Sequence, residues 1–232
     1  MTCMHLTGKC TCNVYLERVL SMIKEGYVNV FIKELQSLGA KYGLARVYDD
    51  FIYMCACALA NPTKQPFSVD RENEYLKCIS KYSTDEQASF SKMFSWVILA
   101  LEENPEQDFL GKILNKLHLC SSSLGQAFTP YNVSELMASV VLEQSIVKEN
   151  SSICDPCCGT GAMLIAARNI ISKQKQASKF FIVGIEIDYS VGLSAFVQLS
   201  LLGAKGYVQI GDSMLNTYDE KDRWYFPGNL LY

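Results

Sequence analysis

The sequence predicts an α/β protein in which a helical amino-terminal region precedes a parallel-sheet domain. Apolar residues recur at helical spacing through the first hundred positions, as in Leu16, Val19, Leu20 and Ile23. In the second half, short apolar runs alternate with helical patterns, beginning with Ile153-Cys154 before the helix-forming stretch Ala162 to Ala167. Between those two stands Asp155-Pro156-Cys157-Cys158-Gly159-Thr160-Gly161. Its glycines permit positive φ and close backbone approach, so the segment reads as strand, tight turn and helix start.

Each element follows from local chemistry. Tyr15 to Leu38 is predicted as a helix, interrupted at Gly26 and closed by Gly39. Leu44 to Ala60 forms a second, stopped by Asn61-Pro62 because the residue before proline disfavours helix. Residues 61–73 are a polar connection, and Asp70 opens a short helix around Glu74 to Ser80. Thr84-Asp85 caps a helix through Glu103, ended by Asn104-Pro105. Phe90, Phe94, Trp96 and Val97 are assigned to its core face rather than to a base-stacking platform. Ser134-Glu135 starts a helix running to about Lys148, and strands are expected at Phe180 to Ile185 and Tyr207 to Ile210. The boundary falls near residues 104–123, dividing a helical region, 1–107, from a sheet domain, 108–232.

Composition limits the function classes. With 232 residues, 49% hydrophobic and 19% charged, the chain can bury a substantial core. No apolar run reaches membrane-spanning length and no signal peptide is evident, so a cytoplasmic protein without membrane contact is expected. The ten cysteines are read as reduced thiols. Cys3, Cys10 and Cys12, with His5 nearby, lack the two-residue gap of common zinc sites, and no metal is assigned. Cys157 and Cys158 are read as packing residues of the turn, not nucleophiles. The net charge of −3 predicts weak intrinsic DNA affinity.

The turn suits a nucleoside-bearing ligand. It lacks the Lys-Ser or Lys-Thr of a phosphate loop, and Leu164 stands where a dinucleotide motif needs its third glycine. Glu186, at a strand end one βα unit later, can accept ribose hydroxyls, and Asp212 can accept an adenine amino group. Asp155 favours a nearby cation.

These segments resemble the adenine-N6 DNA methyltransferases, especially the modification subunits of type I restriction systems and small methylases of phages and mobile elements. Asp155 to Gly161 is similar to the family's cofactor motif. Gly125-Gln126-Ala127-Phe128-Thr129-Pro130 resembles its Gly-Gln-Phe-x-Thr-Pro segment, and Asp108-Phe109-Leu110-Gly111 the segment before it. Val183 to Asp188 and Gly211-Asp212-Ser213-Met214 match the second and third strands. The resemblance implies a Rossmann-like domain that binds S-adenosylmethionine. Its cofactor residues would be Phe128, Thr129, Pro130, Asp155, Pro156, Cys157, Gly159, Gly161, Glu186, Ile187, Asp212 and Ser213.

The family's Asn-Pro-Pro-Tyr motif, which holds a flipped adenine, is not spelled in this chain. Asn229-Leu230-Leu231-Tyr232 preserves only its outer residues, making Asn229 and Tyr232 the candidate catalytic pair. Asn61-Pro62 is a helix stop rather than a permuted copy. Three clear strands with a possible fourth imply a truncated sheet, whose bare edge predicts a homodimer or hetero-oligomer. A specificity subunit would then bring the chain to DNA. The alternatives are an inactive cofactor-binding subunit or sensor, and a methyltransferase acting on protein or a small molecule.

Overall fold

The computed structural model describes residues 26–61, 69–119, 128–143, 151–173, 180–216 and 218–230. The first helices are α1 (Tyr27–Tyr42), α2 (Leu44–Ala60), α3 (Val69–Ile79) and α4 (Thr84–Glu103). They are followed by α5 (Phe109–Leu117) and α6 (Tyr131–Glu143). The βα units are β1 (Ser152–Asp155), α7 (Ala162–Lys173), β2 (Phe181–Glu186), α8 (Tyr189–Leu201) and β3 (Gly206–Ile210). A final strand, β4 (Arg223–Tyr225), lies between 3₁₀ turns Glu220–Asp222 and Pro227–Leu230.

The sheet has order β1-β2-β3-β4. β1, β2 and β3 are parallel, with Asp155 beside Gly184 and Glu186 beside Ile210. β4 runs antiparallel to β3, pairing Val208 with Trp224. The expected α/β class with a small Rossmann-like sheet is therefore present.

Several helix boundaries differ from the sequence expectation for identifiable reasons. Gly39 lies inside α1 instead of closing it; the break comes at Gly43, whose φ is 90°. A Cβ on Gly39 would sit 2.9 Å from Leu44 Cδ1, so that glycine permits the close return of α2. α3 begins at Val69, with Asp70 in its first turn as expected, and ends at Ile79. α4 is capped by Ser83, which accepts from the Glu86 amide while the Glu86 carboxylate accepts from Ser83 N–H. α6 begins at Tyr131, directly after Pro130, whose carbonyl accepts from Val133 and Ser134. The helix at Phe109–Leu117 was not anticipated.

One apolar core runs through both halves. Phe31 packs edge-on against Phe51 and Phe109, and Tyr48 donates to or accepts from Ser194 of α8 at 2.8 Å. Trp224 is fully buried against Phe196 and Tyr53. The Arg71 guanidinium stacks 3.8 Å above the Trp224 ring and donates to the carbonyls of Lys221 and Arg223. An α3 side chain thus occupies the outer margin of β4. On the sheet, Phe181, Tyr207 and Tyr225 form an edge-on aromatic ladder across three strands.

Candidate functional site

A cleft of about 350 Å³ opens beyond the carboxyl ends of β1, β2 and β3. Parallel α/β sheets place ligands there because glycine turns and helix starts converge on that edge. Its floor is the turn after β1. Gly159 and Gly161 have φ of 56° and 92°, the left-handed region that glycine adopts without strain. The Cys158 amide donates to the Ile185 carbonyl and the Gly161 amide to the Cys158 carbonyl, which ties the turn to β2.

Glu186, at the end of β2, is buried and accepts from the Gly159 amide at 2.9 Å and the Asp188 amide at 3.0 Å. Each carboxylate oxygen has a second acceptor position, so Glu186 retains capacity for a ligand diol. Asp212 follows β3, and its Oδ1 accepts from Met214 and Leu215. This shapes the loop that brings Met214 to the cleft. Phe128, Ile187, Val191 and Met214 supply apolar surface, while Pro156, Cys157 and Ser213 complete the lining. Cys157 Sγ and Ser213 Oγ approach to 3.9 Å, linking the turn with the loop after β3.

Not every expected cofactor residue lies in this cleft. Asp155 and Thr129 line an adjoining cavity of about 340 Å³ between α6, β1 and α7, with Pro156 and Cys157 on both walls. Asp155 accepts from the Cys157 amide at 3.1 Å, and burial raises its carboxyl pKa above the ordinary value. Pro130 instead starts α6 and faces a different cavity, beside Val28 and Tyr131. Gly161 sits beneath the turn, where a Cβ would come within 3.2 Å of Ala195. Val191, Gly211 and Met214 line the cleft without having been assigned to it. Gly211 and Met214 belonged to a recognised segment, but Val191 carried no signal beyond the helical pattern.

Of the candidate catalytic pair, Asn229 is among the described residues. Asn229 donates from Nδ2 to the Gly206 carbonyl and accepts from the Gly206 amide at 2.7 Å. Gly206 begins β3, whereas Asp212 follows its far end, roughly 20 Å away at extended-strand rise. The antiparallel course of β4 carries Asn229 back to the amino edge, away from the cleft. Tyr232 lies outside the described residues, as do Gly125 to Ala127, Cys3, His5, Cys10, Cys12 and the part of the predicted helix from Tyr15 to Glu25. Cys158 is buried and its thiol pKa is raised well above the ordinary value by desolvation, in keeping with a packing role. Asn61 ends α2 and donates to Glu72. No described helix is long and apolar enough to cross a membrane.

A glycine turn, a buried strand-end acid and an apolar-flanked cleft define a nucleoside-binding α/β domain. The chain belongs to the N-6 DNA methylase family, whose sequence profile matches residues 107–224, just over half its length. No curated relative matches the chain. Among solved structures it is similar to a protein from Listeria monocytogenes described as a class I S-adenosylmethionine-dependent methyltransferase. Identity is 18% and the TM-score 0.47, covering 82% of this chain and 55% of that one. It is also similar to the methyltransferase subunit of a type I restriction-modification system from Streptococcus thermophilus. There identity is 15% and the TM-score 0.41, covering 83% of this chain and 40% of the other. The chain thus spans about half the length of these proteins. The family's cofactor is S-adenosylmethionine, and the cleft fits it in chemistry, with an acid for a ribose diol and apolar walls for a base.

Proposed function

We propose that this chain binds S-adenosylmethionine and presents it for methyl transfer to the N6 atom of adenine in DNA, in a phage or restriction setting. The observation that carries this reading is the convergence of Gly159, Glu186, Ile187 and Asp212 on one cleft within a chain of the N-6 DNA methylase family. When bound, the cofactor supplies an electrophilic methyl group. Glu186 holds the ribose, Ile187, Val191 and Met214 flank the adenine, and Asp155, across the shared Pro156–Cys157 wall, favours the cationic end electrostatically. The group that positions the target amine comes from a partner, because Asn229 fastens β3 instead. That fastening also favours a second reading, a cofactor-binding subunit or sensor without turnover.

Expression in a bacterial host lacking adenine methylation, followed by mass spectrometry of N6-methyladenine in genomic DNA, tests turnover. A signal above empty vector, alone or with a co-expressed specificity subunit, supports methylation. Bound cofactor without any signal in either arm supports the second reading.

Asp155 makes cofactor affinity pH-dependent in a defined direction. Burial raises its carboxyl pKa, so the folded protein keeps that group protonated to higher pH than a free carboxyl would. A sulfonium cation favours the charged form, so its binding releases that proton. Affinity for S-adenosylmethionine is therefore expected to fall on acidification through this titration, more than affinity for uncharged-sulfur S-adenosylhomocysteine. Calorimetry of both ligands across pH measures the ratio, and Asp155→Asn should flatten it.

Self-association forms part of the proposal. β1 pairs only with β2 among the described residues, and Val133, Leu136, Met137 and Val140 of α6 are exposed beside it. Their i, i+3, i+4, i+7 spacing makes one apolar stripe, and an exposed strand edge is a template for pairing with another chain. A second copy covers edge and stripe through one twofold axis that treats both chains alike. Leu136→Glu with Val140→Glu is expected to convert a concentration-dependent dimer into monomer in sedimentation equilibrium. Unchanged association would place the interface elsewhere.

A further inference from the structure

The glycine turn is held from behind by a buried carboxylate that does not touch the cleft. Asp108 caps α5, and its Oδ1 accepts from the Gly111 amide at 2.9 Å. Its Oδ2 accepts from the Thr160 hydroxyl at 2.5 Å. Gln198 of α8 completes the arrangement, donating from Nε2 to Asp108 Oδ1 and to the Thr160 carbonyl, both at 2.9 Å. Its Oε1 accepts from the Leu110 amide at 3.0 Å. Asp108, Thr160 and Gln198 are 4%, 1% and 0% exposed, so these bonds form away from water.

The packing leaves little freedom. A Cβ on Gly111 would lie 1.9 Å from Asp108 Oδ2 and 2.7 Å from Thr160 Oγ1. Gly111 therefore lets α5 approach until the carboxylate reaches the turn, which explains both the first and the last residue of Asp108-Phe109-Leu110-Gly111. Thr160 stands between the two positive-φ glycines, the residues of the turn with the largest conformational freedom. Fixing its hydroxyl and carbonyl from one side restrains Gly159 and Gly161 on the other. Gln198 lies on the helix that follows Glu186, so the same group joins two cofactor-lining segments to the helical half.

We propose that Asp108 is a positioning residue, which with Gln198 holds Thr160 and thereby presets the Gly159–Gly161 backbone for S-adenosylmethionine. This rests on the cofactor reading above. A turn already in its bound shape loses less entropy when ligand arrives. The effect should appear in affinity, beyond any effect on stability. Asn at position 108 can keep this pattern, its Oδ1 accepting from Gly111 and Gln198 and its NH₂ donating to the Thr160 hydroxyl oxygen, so removing the side chain, as in Asp108→Ala, is the change that releases the turn.

The test compares Thr160→Val, Thr160→Ser, Asp108→Ala and Tyr82→Phe by calorimetry with S-adenosylmethionine, at a temperature where circular dichroism shows each folded. Thr160→Val keeps the side-chain shape without the hydroxyl and is expected to weaken binding about tenfold or more. Asp108→Ala should do the same, while Thr160→Ser retains affinity. Tyr82→Phe removes a bond to Asp50 within the helical region; it lowers the melting temperature with affinity unchanged. If Thr160→Val binds like wild type, or if affinity follows melting temperature across all four variants, the positioning role is overturned and the cofactor reading stands. If folded wild type does not bind, both are overturned.

Discussion

Glu186→Ala is expected to lower affinity for S-adenosylmethionine and S-adenosylhomocysteine alike, by roughly ten- to a hundredfold. The estimate follows from losing a charged acceptor, worth about 1.5–3 kcal/mol, with 1.4 kcal/mol per tenfold in affinity. Both ligands share the ribose, so the losses should match, in contrast to the selective effect expected at Asp155. Two contributions add. The variant removes the acceptor for the ligand, and it strips the Gly159 and Asp188 amides of their partner. Glu186→Gln separates them, because its carbonyl can serve one amide while its NH₂ cannot accept from the other. Titration calorimetry with both ligands decides. Equal affinity in wild type and Glu186→Ala would remove this carboxylate from the site.

The second large effect concerns stability. Trp224→Ala empties a fully buried site between Phe196, Tyr53 and the Arg71 guanidinium. Truncating a buried aromatic costs about 3–5 kcal/mol, set against about 5–15 kcal/mol for a whole domain. The urea midpoint should fall sharply, with Trp224→Phe intermediate. Because Trp224 of β4 packs on α2 and α3 side chains, helical and sheet signals should be lost together. A sheet that melts while the helices persist would show that residues 1–107 and 108–232 fold separately, as the sequence division proposes.

The glycine turn, Glu186 and Asp212 were legible because each is a short local pattern whose chemistry requires particular residue types. Strand and helix order was legible for the same reason. Less visible was anything set by long-range packing. Gly39 reads as a helix end until Leu44 is seen lying against it. The Phe109–Leu117 helix hides in a nine-residue stretch, too short for periodicity to declare itself. Asn229 shows the reverse hazard. Its spacing from Tyr232 imitates a catalytic motif, but β4 reverses direction and turns that side chain toward the Gly206 backbone. Sequence spacing records which residues are neighbours along the chain, and only topology records which end of a sheet they reach.

The guanidinium of Arg71 on the Lys221 and Arg223 carbonyls gives the sheet a polarity. One margin is stoppered by a cation that a new strand would have to displace, and the other offers β1 with no described neighbour. Additions to this fold are therefore directional: material can accrete beside Asp155, at the mouth of the cleft, and not beside Tyr225. An engineered strand fused to reach β1 would extend the sheet next to the cofactor turn, while the same strand directed at β4 would first cost the Arg71–Trp224 clamp.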